Sequence, residues 1–210
     1  MIPVISFVGS SGSGKTTLIE SVIQILTSEG FKVSYLKHGY GLELDKEGKD
    51  TWRMHKAGAG KVFMISPEKY ASIAVGEANL EEMIHKAIDN ETDILIIEGY
   101  KQSRYPKIEV FREYNGKPLI CANDDCLLAI ATDTPITTTH RVLDINKPLE
   151  TAEFIMNYIA NYCNNEKISI LLDKNRLELD IETKSKLTEL LKPFTSKGSN
   201  LFEIKININN

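Results

Sequence analysis

The chain is poor in cysteine, tryptophan and histidine: among 210 residues there are three Cys, one Trp and four His. An odd, sparse set of cysteines is no disulfide framework, so the three read as buried reduced thiols. Cys121 and Cys126 have four residues between them, but no paired Cys/His set completes a tetrahedral metal site. No apolar run approaches the ~18 residues needed to span a bilayer. The N-terminus also lacks a basic segment followed by an apolar signal core, which predicts a cytoplasmic protein with no membrane partner. Positive charge is not in excess either. With 25 Lys and Arg against 29 Asp and Glu, the net charge of −4 gives no overall attraction for nucleic acid, which is not an expected partner. Repeats and low-complexity runs are missing. What is present, 42% hydrophobic and 26% charged residues, suits one α/β domain with an appendage.

The glycines are concentrated where chemistry needs them. Gly9-Ser10-Ser11-Gly12-Ser13-Gly14-Lys15-Thr16 matches G-x-x-x-x-G-K-[ST] in full. An apolar run over residues 2–8 precedes it, and Leu18, Val22, Ile25 and Leu26 recur behind it at helical spacing, with Gly30 as the stop. Such a loop lets backbone N–H groups of residues including Gly9, Ser11, Gly12, Ser13 and Gly14 wrap a polyphosphate at a helix N-terminus. Lys15 then reaches the β- and γ-phosphates and the Thr16 hydroxyl coordinates Mg²⁺. The loop implies a nucleotide.

Alternating strand and helix patterns run from residue 2 to about 163, which predicts a mainly parallel sheet flanked by helices. Strands are expected over 31–37, 61–65, 93–98 and 126–132, and helices over 50–57, 80–88 and from Pro148, where Ile155, Ile159 and Tyr162 share a face. Asn115-Gly116 between the strand-like runs 108–114 and 117–122 predicts an inserted β-hairpin, offered as a dimer element. A polar break over 161–165 divides a nucleotide-binding domain, 1–163, from a small C-terminal α+β module, 164–210. In that module strands over 168–172, 176–179 and 202–208 and a helix over 182–191 are expected.

Ile94-Leu95-Ile96-Ile97 leads directly into Glu98-Gly99, which makes Glu98 the candidate to hold the Mg²⁺ shell and polarise water. The loop after the second strand carries Lys37, His38, Asp45, Asp50 and Arg53, at the carboxyl edge where open α/β sheets bind ligands. These are candidates for phosphate, metal or a second substrate, with a solvated charged loop as the alternative. Lys101 and Lys107 make a basic rim for an anionic substrate.

Residues 9–17 with Leu18-Ile19-Glu20, then Leu36-Lys37-His38, Asp45-Lys46, Gly48-Lys49-Asp50 and Lys56-Ala57-Gly58-Ala59 resemble the MobB family of molybdopterin-guanine dinucleotide biosynthesis proteins. Ile97-Glu98-Gly99-Tyr100-Lys101, Pro106-Lys107-Ile108, residues 129–135 and Leu143-Asp144-Ile145-Asn146 continue the resemblance in order, over roughly residues 4–160. It implies a P-loop NTPase-like fold and a GTP-binding adaptor with weak Mg²⁺-dependent GTPase activity in molybdenum cofactor biosynthesis. Such a protein acts as a homodimer beside the MobA guanylyltransferase, with molybdopterin as a further candidate ligand. By position, Gly12, Gly14, Lys15, Thr16 and Thr17 would hold phosphates and Mg²⁺. Glu98 would serve metal or water, Lys15 and Glu98 being the catalytic candidates and Thr16, Glu98 and Asp45 the metal candidates. No N-K-x-D guanine motif is present, since Asn146-Lys147 is followed by Pro148-Leu149, so guanine is implied by the resemblance alone. The runner-up is a small-molecule kinase in which Asp45 or Asp50 activates an acceptor hydroxyl held by Arg53 or Lys101. A third reading, a metal-delivery GTPase, lacks the His-rich tract it would need.

Overall fold

Four consecutive branched residues, Ile94 to Ile97, can all be buried only in a strand covered on both faces. The computed structural model, which describes residues 2–39, 46–89, 91–165, 170–172, 175–177 and 186, provides that cover. All five residues of β5 (Ile94–Glu98) are buried. The strand lies between β2 (Val33–Lys37) and β1 (Val4–Val8) in a six-stranded sheet of order β2-β5-β1-β6-β7-β8. Here β6 is Lys107–Phe111, β7 is Leu127–Thr132 and β8 is Arg141–Asp144. Every pairing is parallel, so all six carboxyl ends share one edge.

Alternation along β5 sorts its side chains between two cores. Ile94 and Ile96 join Phe7, Leu18, Val22, Leu26, Ile155 and Ile159 under α1 (Lys15–Ser28) and α4 (Pro148–Asn165). Leu95 and Ile97 face the other way, with Val4 and Ile84 of α3 (Leu80–Ala87). The strands expected over 2–8, 31–37, 93–98 and 126–132 lie in this sheet, that expected over 61–65 forms outside it, and β8 is an addition.

The hairpin expected over residues 108–122 is absent. Both edges of β6 are already occupied by parallel neighbours, β1 and β7, which leaves no edge for an antiparallel return. Gly116 instead closes a 3₁₀ turn, Glu113–Asn115, and no strand follows over 117–122. A different hairpin, not expected from the sequence, lies earlier in the chain. There β3 (Lys61–Ile65) pairs antiparallel with β4 (Tyr70–Ala74), outside the main sheet and packed by α2 (Asp50–Lys56). The polar stretch 161–165 does not break α4, which continues to Asn165 because Ala152, Ile155 and Ile159 already anchor its buried face. Beyond it, β9 (Ile170–Leu172) pairs antiparallel with β10 (Asn175–Leu177). The helix expected over 182–191 and the strand over 202–208 lie outside the described residues, apart from helical Lys186.

Candidate functional site

The glycine-rich loop leaves the end of β1 through a gap only glycine can pass. At Gly9 φ is 142°, and a Cβ would lie 2.3 Å from the Val110 carbonyl oxygen on the neighbouring strand. The loop ends at Gly14, the left-handed N-cap of α1, where no side chain caps the helix and no acid sits in the first turn. The helix itself thus supplies no anion to its first-turn amides or to the positive end of its dipole. The Lys15 ammonium reaches back across the loop and donates to the carbonyls of Gly9 (3.0 Å) and Ser10 (2.8 Å). Burial lowers the Lys15 pKa, opposed by the nearby Glu98 carboxylate and reinforced by Lys37. Within the loop, the buried Ser13 hydroxyl has no hydrogen-bond partner.

The same two-residue alternation that sends Ile94 and Ile96 under α1 sends Glu98 to the start of that helix. There the Thr16 hydroxyl donates to both carboxylate oxygens, at 3.0 and 3.1 Å. The β2–β5 register sets Lys37 opposite Glu98 and Tyr35 opposite Ile96. Accordingly the Tyr35 hydroxyl donates to Glu98 Oε2 at 2.6 Å, and Lys37 Nζ lies 3.4 Å from Oε1. Burial pushes the Glu98 pKa up, but the hydrogen bonds from Tyr35 and Thr16 and the Lys37 charge outweigh it, leaving the carboxyl below its ordinary value. Burial and the same carboxylate push the Tyr35 phenol well above its ordinary range.

The chain turns sharply after Glu98. Gly99 has φ 103°, and a Cβ there would sit 3.1 Å from the His38 carbonyl oxygen. Tyr100 follows with φ 53° and stacks on the His38 ring, centroids 3.9 Å apart. Lys37, His38, Glu98, Lys15 and Thr16 therefore converge, whereas other candidates do not join them. Lys101 is exposed beside this turn. Asp50 and Arg53 pair with each other at 3.7 Å on α2, both largely in solvent. Asp45 lies outside the described residues. Lys107 is no part of a basic rim: it is fully buried, ion-paired with Asp124 at 2.9 Å and donating to the Ser103 carbonyl. As the first residue of a central strand, it is covered before it can reach the edge.

Cys121 is buried and its thiol pushed up to about 11 by burial and by nearby Glu109 and Asp124. Cys126 is only half-buried, its thiol donating to the Arg104 carbonyl at 3.3 Å. Among the described residues no group of three His, Cys, Asp or Glu side chains could hold a metal ion. No described helix is long and apolar enough to cross a membrane.

The segment misread as a hairpin contributes residues that sequence reasoning missed. The Tyr114 hydroxyl donates to the Gly12 carbonyl at 2.9 Å, and Asn115 Nδ2 lies 3.5 Å from Ser10 Oγ. Arg112 Nε would be 3.5 Å from a Cβ on Gly14, and its guanidinium pairs with Asp133. The available signal was position: Arg112 and Asp133 directly follow the apolar runs that became β6 and β7.

Chemically, the loop amides and Lys15 suit a polyphosphate. The Thr16 hydroxyl and Glu98 carboxylate form an all-oxygen pair of the kind a hard divalent cation takes. A parallel sheet, a glycine-rich loop between its central strand and first helix, and an acid ending the adjacent strand define a P-loop NTPase-like α/β protein. Comparison narrows the class: residues 4–133 match the family described as Molybdopterin guanine dinucleotide synthesis protein B, MobB. The chain belongs to the MobB family. It is 37% identical over 164 residues to a Haemophilus influenzae protein named molybdopterin-guanine dinucleotide biosynthesis adapter protein, covering 77% of this chain and 92% of that one. An Escherichia coli K12 protein of the same name is 30% identical, covering 76% and 94%. The crystal structure of Bacillus subtilis MobB superposes with a TM-score of 0.60 at 26% identity, covering 74% of this chain and 97% of the other.

Proposed function

We propose that this protein is a GTP-binding adaptor of molybdopterin guanine dinucleotide biosynthesis, acting in the cytoplasm beside a MobA-type guanylyltransferase. The observation that carries the nucleotide reading is the Thr16–Glu98 contact at the mouth of the glycine-rich loop. Residues 9–14, Lys15 and Thr17 bind the phosphates, and Thr16 with Glu98 would hold Mg²⁺. The buried, unpartnered Ser13 hydroxyl and the uncapped α1 N-terminus support a loop that binds an anion. The ion would neutralise charge developing on the phosphates. Glu98 Oε2 is already engaged by Tyr35 and Oε1 by Lys37, so Glu98 is poorly placed to take a proton from water, and turnover is slow. Lys37 and exposed Lys101 offer positive charge to an anionic second ligand such as molybdopterin.

The adaptor role is supported by the names of the relatives. Of the residues a kinase reading would use, Asp45 or Asp50 with Arg53 or Lys101, Asp50 and Arg53 pair with each other in α2, both largely in solvent, and Asp45 lies outside the described residues. The dimer element is the β3–β4 hairpin. Phe63, Ile65 and Tyr70 of the hairpin and Val75 just after it are 73%, 90%, 83% and 77% exposed, and a two-stranded hairpin covered only by the short α2 is marginal in water. Its open edges and apolar side chains suit the same hairpin of a second copy.

The reading is tested by titrating the full chain with GTP and ATP, with and without Mg²⁺, and by co-purification with the guanylyltransferase in each nucleotide state. Mg²⁺-dependent GTP binding and nucleotide-sensitive association are expected. No nucleotide binding, or no association in any state, would overturn the corresponding half of the proposal.

A further inference from the structure

The chain has no N-K-x-D sequence, so other residues must read the base. The glycine-rich loop follows β1, and the strand order puts β5 and β2 on one flank and β6, β7 and β8 on the other. The β5–β2 flank holds Glu98 with Thr16 and Lys37, and beyond Glu98 it is walled by the Tyr100–His38 stack. If the terminal phosphates meet Thr16 and Glu98, the sugar and base must leave along the other flank. There Gly14 backs onto Arg112 and Ile145, whose Cδ1 would be 3.8 Å from a Cβ on that glycine.

Resting on the nucleotide reading above, we infer that Asp133, held by Arg112 at the carboxyl ends of β6 and β7, selects a base presenting two adjacent hydrogen-bond donors, as guanine does. The Arg112 guanidinium donates to Asp133 Oδ2, while among the described residues Oδ1 accepts only a 3.2 Å hydrogen bond from the Thr134 hydroxyl. Both side chains of the ion pair are 25% exposed, so the carboxylate is fixed in direction yet open to a ligand. The turn beneath it is pinned by the Thr134 N–H donating to the Thr132 hydroxyl oxygen at 3.2 Å. Guanine offers N1–H and N2–H₂ side by side, matching two carboxylate oxygens; adenine sets its N1 acceptor against the carboxylate instead. A site built on charged hydrogen bonds discriminates by about 100-fold or more. Arg112 is a positioning residue in this arrangement.

The experiment compares GTP, ATP, XTP and inorganic tripolyphosphate, each with Mg²⁺, against wild type and Asp133→Asn in the full chain by calorimetry. An asparagine amide offers one acceptor and one donor, which complement the N1–H and C2=O of xanthine. Wild type is expected to prefer GTP to ATP. Asp133→Asn should lose at least about tenfold in GTP affinity, gain XTP binding and keep tripolyphosphate binding. Wild-type GTP affinity in the variant, or parallel loss of tripolyphosphate, would overturn the assignment. Equal GTP and ATP binding by wild type would overturn it while leaving the nucleotide reading intact; no binding of any triphosphate would sink that reading itself. Should Asp133→Asn fail to fold, Arg112→Gln serves: the GTP-to-ATP ratio should narrow with tripolyphosphate unchanged, and an unchanged ratio overturns the inference.

Discussion

The Thr16 hydroxyl donates to both oxygens of Glu98, at 3.0 and 3.1 Å, across 82 positions of sequence. The first turn of α1 and the last residue of β5 meet there because parallel pairing with β1 brings β5 beside the loop and strand alternation turns Glu98 toward the helix. If that contact is where Mg²⁺ sits, Glu98→Gln lowers Mg²⁺-dependent GTP hydrolysis by about 100-fold while GTP affinity falls less. Turnover at wild-type rate across a Mg²⁺ titration would reduce Glu98 to a structural residue.

Lys15 spans the loop through the Gly9 and Ser10 carbonyls. Lys15→Ala is expected to cost about 2–3 kcal/mol of GTP binding, the range of charged hydrogen bonds, with little change in the unfolding midpoint. Calorimetry and urea unfolding of the same preparation separate the two effects.

Gly9 tests whether the loop path is dictated by contact. A methyl group at 2.3 Å from the Val110 oxygen, on a backbone with φ 142°, must displace β1 or β6. Gly9→Ala should destabilise the fold by about 2–3 kcal/mol, in contrast to Lys15→Ala. An unchanged midpoint in urea would show that the loop can move aside.

The Glu98 carboxyl is held below its ordinary value of 4.5 despite burial. A lowered folded-state pKa makes the ionised form a source of stability above that ordinary value, lost as pH falls through the folded-state value. The stability advantage of wild type over Glu98→Gln should therefore be full at pH 7 and shrink on acidification below about pH 4. Denaturant unfolding of both proteins across that range provides the measurement, and an advantage that grows in acid contradicts the assignment.

Exposed Phe63 and Ile65 on β3 supply the apolar surface assigned to self-association. If the proposed dimer forms through this surface, wild type sediments as a dimer and the double variant Phe63→Ser, Ile65→Lys as a monomer at the same concentration. A dimer of unaltered stability would move the interface elsewhere.

The parallel α/β core was readable because its signals are local. The run before Glu98, the helical spacing behind Thr16 and the glycine-rich loop each lie within a few residues of one another, and each became the expected element. The hairpin was not readable. Asn115-Gly116 carries the chemistry of a tight turn, but competition for the edges of β6 decides whether a strand can return, and β1 and β7 win it. Lys107 shows the same limit: a lysine reads as surface until its strand is placed at the middle of a sheet, with Asp124 and the Ser103 carbonyl to satisfy it. Among the site candidates, Lys37 and His38 meet Glu98 and Tyr100, while Asp50 and Arg53 remain with each other.

By itself the sequence determined that residues 9–16 form a glycine-rich loop between a strand and a helix, and that Glu98 ends a strand buried on both faces. Backbone freedom at glycine and the periodicity of apolar side chains are written in neighbouring residues. That Glu98 meets Thr16, Tyr35 and Lys37, and that Arg112 and Asp133 stand on the loop's opposite flank, follows from the packing of distant segments. Those contacts depend on strand order and register, which arise when distant segments compete for the same edges and the same core.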